Sequence, residues 1–155
     1  MVGMGNLPGG SNSLAYAVSD DGLVVVGHGD SASGHQGFRW TASSGMAALG
    51  YLPGGKVSFA HVVSSDGSVV GGFGDSTSGN DVFIWDSING MRSLQTVLTS
   101  NYHMNLIGWR LKFVTGISAD GKTIVGDGYH NGRTEAWIAH LDRPVNAPAA
   151  KGPSK

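Results

Sequence analysis

The chain has 155 residues, 26 of them glycine, with 14% charged residues and a formal net charge of −1. That length suits one domain with a real core. Long helices favour Glu, Lys, Ala and Leu, and the prominence of Gly, Ser, Asp and Val points to strands and turns instead. The absence of cysteine excludes disulfides and thiolate metal sites, and the ten scattered Lys and Arg leave no basic tract for nucleic acid or an anionic membrane.

No apolar run reaches membrane-spanning length, so no membrane insertion is expected. The opening MVGMGNLPGG has neither the charged nor the apolar region of a signal peptide, so no leader is expected. Met4, Gly5 and Leu7 match Leu49, Gly50 and Leu52 further on, which makes residues 1–7 read as an outer strand detached from its own unit.

A first strand is expected from Leu14 to Ser19. The turn Asp21-Gly22 follows, a residue pair that tolerates positive φ and signals a hairpin. The valine run Leu23–Gly27 reads as a strand buried on both faces. GHGDSASGHQ reads as a loop, and GFRWT as a third strand with Phe38 and Trp40 on one face and Arg39 on the other. A turn at ASSGM leads to a fourth strand, Met46–Leu52.

The pattern then recurs. Gly27 and Gly72 are 45 residues apart, as are Trp40 and Trp85 and the two LPGG tetrapeptides. The second copy has its strand at Phe59–Ser64, its turn at Asp66-Gly67 and its outer strand at Met91–Val97. From Gly72 to Gly126 the step is 54, so the third copy carries nine extra residues within Leu98–Phe113. Its turn is Asp120-Gly121, and Phe38, Phe83 and Trp137 each lie eleven residues past the glycine of their copy. Repeats of about 4–48, 49–93 and 94–141 result, with residues 1–7 completing the last unit and the Pro/Ala/Lys stretch 142–155 as a flexible tail.

Four short strands per unit of about 45 residues is an all-β pattern that fits β-propeller blades. Three blades are too few to close a ring, so half of a six-bladed ring completed by homodimerisation through the N-terminal strand is the expected architecture. A β-trefoil and a β-prism remain as alternatives.

The stretch LPGGSNSLAYAVSDDGLVVVGHGDSASGHQGFRWTASSGMAALG resembles the HAF-type repeats of bacteria. LPGGKVSFAHVVSSDGSVVGG is similar in part, and GWRLKFVTGISADGKTIVGDGYHNGRTEAWIA is similar to the terminal unit of such arrays. The resemblance implies a β-propeller-like extracellular or cell-surface array with no catalytic residues to carry over.

Chemistry is sparse. Asp21, Asp66 and Asp120 recur in every copy and read as turn residues together with Gly22, Gly67 and Gly121. Phe38, Phe83 and Trp137 recur at one position of the third strand, Trp40 and Trp85 at another two residues on, and all five read as core aromatics. No histidine pair has metal-ligand spacing, although His28, Asp30 and His35 share one stretch. No nucleophile elbow or convergent carboxylate pair is legible, and no cofactor is expected. The insertion departs from the repeat, so Tyr102, His103, Trp109 and Arg110 are the candidate binding residues. The reading is a non-catalytic scaffold that assembles and binds protein or glycan. A propeller-type hydrolase or lyase with a site at the ring axis, and a trefoil or prism lectin, are the alternatives.

Overall fold

The computed structural model describes residues 1–147. They form an all-β chain of three antiparallel sheets with one short helix. The first sheet runs β1 (Ser13–Val18), β2 (Val24–Ser31), β3 (Gly34–Thr41), β4 (Gly45–Ala48), in that spatial order. The second repeats it with β5 (Ser58–Val63), β6 (Val69–Ser76), β7 (Gly79–Asp86) and β8 (Gly90–Ser93). Helix α1 (Leu94–Tyr102) follows. The third sheet has β9 (Trp109–Ile117), β10 (Thr123–His130) and β11 (Arg133–His140), and β11 has no outer neighbour among the described residues.

Each unit joins its first strand to its second by the same turn, built by one serine and one aspartate. In the first, the Ser19 hydroxyl donates to Asp21 Oδ1 (2.6 Å) and accepts from Val24 N–H (3.0 Å), while Leu23 N–H donates to the same carboxylate oxygen (2.9 Å). Ser64 with Asp66, and Ser118 with Asp120, repeat the arrangement. Gly22, Gly67 and Gly121 all have φ near +70°, between 65° and 73°, a region in which other residues are strained.

The sheets stack in chain order. β5 lies against the first sheet, and β9 against the second. Val24, Val26, Ala60, Val70 and Phe83 fill the first interface. Val69, Ile84, Val114, Ile124 and Trp137 belong to a second cluster, closed from the side by Leu94, Val97 and Leu98 of α1. Phe38 and Phe83 are fully buried and Trp137 nearly so, whereas Trp40 and Trp85 are half-buried.

Four local expectations change. The Gly/Ser/Asp stretches read as loops are hairpins: β2 pairs with β3 through Ser31↔Gly34, and β6 with β7 through Ser76↔Gly79. A serine hydroxyl bonded across each turn to the glycine carbonyl holds them. The outer strand read as Met91–Val97 ends at Ser93, because Ser93 caps a helix by accepting Thr96 N–H. The insertion, expected within Leu98–Phe113, thus opens inside a helix, whose buried Leu94, Val97 and Leu98 follow the helical period.

The fourth change concerns the stretch read as a flexible tail, whose described part is packed. Val145 is buried, its N–H donates to Gly121 O (3.0 Å), and Pro144 O accepts the Tyr102 hydroxyl (2.8 Å). Residues 148–155 of that stretch lie outside the described residues. Residues 1–7 form no strand within this chain.

Candidate functional site

The array has two unequal ends. At the start, Ala15 of β1 is exposed, whereas Ala60 and Val114 at the same repeat position are buried by the sheet in front of them. Leu14, Tyr16 and Val18 are exposed with it. At the other end, Ile138 of β11 is 58% exposed, whereas Ile84 at the same position is 0% exposed beneath the third sheet. Beside β11 runs an apolar groove of about 460 Å³, walled by Ala136–Ala139 on one side and Leu98, Met104 and Leu106 on the other. Trp137 lines it, and its Nε1 has no hydrogen-bond partner among the described residues.

The four insertion residues do not converge. Tyr102 turns toward the C-terminal segment: Arg143 stacks over its ring at 4.7 Å, and burial raises its hydroxyl pKa. His103 is the exposed C-cap of α1, left-handed at φ 53°. Trp109 is half-buried, walls the apolar groove and stacks flat on His130 with ring centres 4.4 Å apart. Arg110 lines two clefts of about 300 and 160 Å³, the larger one mainly polar, and Asn80 lines both with it. Ser78, Asp81 and Gln95 are among the residues that line the larger cleft, and Lys112 and Tyr129 line the smaller.

A second gathering joins residues far apart in sequence. Tyr16 stacks on His61 (4.6 Å, 7°) and on His28 (5.0 Å); His28 packs against His35 and Phe59; Phe59, Phe73 and Phe113 carry the contact to the third sheet. His35 Nδ1 lies 2.8 Å from Asp30 Oδ1. Burial lowers the pKa of His28, helped by His35 and His61 and opposed by Asp30; burial lowers that of His61 as well. His28 Nδ1 is buried with no partner among the described residues. The sequence put His28, Asp30 and His35 on one stretch. His61 and Tyr16 join them only because sheets stack, so no local signal marks them.

Elsewhere charge is tied to structure. Asp75 accepts Val57 and Lys56 N–H (2.7 and 2.6 Å), which lowers its pKa. Asp86 is buried and holds Arg92 (2.6 Å), Ile88 N–H and Asn89. The Ser19 and Ser118 hydroxyls lower the pKa of Asp21 and Asp120. For Asp66, burial pushes upward and is outweighed by bonds from Ser64 and Ser68. Among the described residues no group of three or more His, Asp or Glu converges to hold a metal ion, and no helix is long and apolar enough to cross a membrane. No protein-family model matches the chain, and no curated protein does.

Proposed function

We propose that this protein is a non-catalytic β-repeat scaffold that assembles through its own repeat and meets a protein or glycan ligand on its loops. The assembly is a propeller-type ring of six units from two copies, of the kind the HAF-type resemblance implies, and its setting is extracellular or the cell surface. The observation that carries this reading is the mismatch of the two ends. The uncovered β1 face and the uncovered face of the third sheet at Ile138 match the two surfaces that neighbouring units bury against each other within the chain, and β11 lacks the outer strand that β4 and β8 give the other two sheets. An open apolar edge strand is a liability that pairing removes.

The ligand surface is the pair of clefts around Arg110, where the third unit departs from the repeat. A hydrolytic site needs convergent titratable groups in one pocket. The His35–Asp30 and His130–Glu135 pairs (2.8 and 3.0 Å) belong to different sheets, each within one hairpin.

Light scattering tests the assembly. Twice the chain mass at micromolar concentration is expected, and a stable monomer at tens of micromolar overturns it. Binding to a glycan or peptide library, lost in Arg110→Ala with the mass unchanged, tests the ligand surface; equal binding by that variant removes Arg110 from it.

A further inference from the structure

Resting on that reading of an assembled scaffold, we infer that the groove beside β11 is the seat of Met1–Met4 of a second copy, which add the fourth strand to the third sheet in the register that β4 takes on β3.

The register comes from the chain itself. β4 pairs on β3 as Phe38↔Ala48, Arg39↔Ala47 and Trp40↔Met46, and Leu49 N–H extends the ladder to Gly37 O (2.9 Å). Carried to the third unit by the repeat, Trp137 faces Gly3, Ile138 faces Val2 and Ala139 faces Met1, while Met4 N–H donates to Ala136 O. The β11 residues engaged, Ala136–Ala139, are the ones that wall the groove.

Size complementarity follows the same register. Phe38 opposes Ala48, and Phe83 opposes Ser93. The larger Trp137 opposes Gly3, the smallest residue. A Cβ on Gly3 meets nothing within 4 Å in the single chain, so no contact there requires glycine.

The donated segment is already shaped for this exit. Gly5 has φ 80° and Gly50, its counterpart after β4, has φ 81°. Ser13 Oγ donates to Gly5 O at 2.9 Å as Ser58 Oγ donates to Gly50 O at 2.7 Å. The LPGG turns close identically, Gly10 N–H to Leu7 O and Gly55 N–H to Leu52 O, both at 2.9 Å. Only the strand lacks its sheet, and Met1 and Val2 are fully exposed or nearly so.

The seat also continues an interface already present. Ser58 Oγ accepts Gly37 N–H across the first and second sheets (3.0 Å). In the assembly Ser13 of the second copy stands at the position of Ser58, and Ala136 of the receiving copy at that of Gly37, so the Ser13 hydroxyl accepts Ala136 N–H. The same docking lays the second copy's β1 face over Ile138. Each copy gives one strand and receives one, so a two-fold axis closes the assembly.

A cysteine pair tests the register. Val2→Cys with Ile138→Cys joins two exposed positions in a chain that has no cysteine of its own. Directly opposed, hydrogen-bonded residues have Cα atoms about 5.5 Å apart, within disulfide range. Mild oxidation is expected to convert most of the double variant to a reducible dimer on a denaturing gel. Val2→Cys with Thr134→Cys, four residues out of register, should link several-fold less. Equal linking by the two pairs, or a bridge within one chain, overturns the seat.

Removing residues 1–4 should leave a monomer, and removing residues 148–155 should leave the dimer. If the chain lacking residues 1–4 stays dimeric, assembly stands and the seat falls. If loss of residues 148–155 breaks the dimer, the tail is the occupant and the seat falls. If the intact chain is monomeric at tens of micromolar, both fall. A dimer displaced by a foreign β-strand peptide but unaffected by a Met1–Asn6 peptide also overturns it.

Discussion

Each unit places a glycine of its second strand directly opposite an aromatic of its third: Gly27↔Phe38, Gly72↔Phe83 and Gly126↔Trp137. The eleven-residue spacing seen in the sequence is this one contact, made once per sheet. A Cβ on Gly72 would collide with the backbone carbonyl oxygen of Phe59 across β5–β6 and come within 2.7 Å of Phe83 Cζ. The carbonyl belongs to a paired strand and the ring is fully buried, so neither retreats cheaply. Overpacking costs about 1–3 kcal/mol and at times more. With two immovable obstacles, Gly72→Ala is expected to cost about 3 kcal/mol. At about 2–4 °C per kcal/mol for a chain of this size, Tm falls by roughly 6–12 °C. Urea unfolding of the parent and variant, with the midpoint lowered and the slope unchanged, reads the effect. A loss within about 0.5 kcal/mol would refute the reasoning, because it would mean that β5 and β6 separate freely at this point.

Other outcomes follow from the turns, the stacked histidines and the C-terminal segment. Asp66→Ala removes the acceptor for Ser64 Oγ, Ser68 N–H and Ser68 Oγ, and should cost about 1–2 kcal/mol by urea unfolding, with Asp66→Asn recovering part of it. His28 and His61 have folded pKa values below the unfolded value near 6.5. The unfolded chain therefore binds protons first: stability is complete above about pH 6.5 and is lost as pH falls toward the folded values. His28→Phe, which copies Phe73 of the second unit, should flatten the decline below about pH 6.5; an unchanged slope in denaturant titrations at several pH values would exclude His28 as its source. Ending the chain at residue 141 removes the buried Val145 and the Tyr102–Pro144 hydrogen bond. Calorimetry should read a loss of about 3 kcal/mol, against no change if that segment only decorates the surface.

What could be read from the sequence is what is local and repeated. The Ser-x-Asp-Gly turn builds itself from neighbouring side chains, so three copies announce three hairpins. The valine strands and the aromatic eleven residues on are equally self-declaring. The hairpins through Ser31–Gly34 and Ser76–Gly79 were hidden because polar, glycine-rich residues pair only after their strands are aligned. Helix α1 was hidden by length: nine residues that include two Thr, a Val, a Ser and an Asn have weak propensity, and burial of Leu94, Val97 and Leu98 against β7 and in the cluster between the second and third sheets holds them. The packing of Val145 near Tyr102 and Gly121, in a stretch whose composition resembles a linker, is wholly tertiary. The same holds for the histidine stack. Tyr16 and His61 are 45 residues apart and meet because consecutive units place them on facing sheets. Tyr102, His103, Trp109 and Arg110 were close in sequence and are dispersed by the helix cap and by the alternation of β9.

The mass of the intact chain in solution, followed by light scattering from one to tens of micromolar beside the chain lacking residues 1–4, is the most direct measurement of whether two three-unit arrays complete each other. The intact chain should weigh twice one chain across that range, and the shortened chain should weigh one. A monomeric intact chain would contradict the proposed assembly.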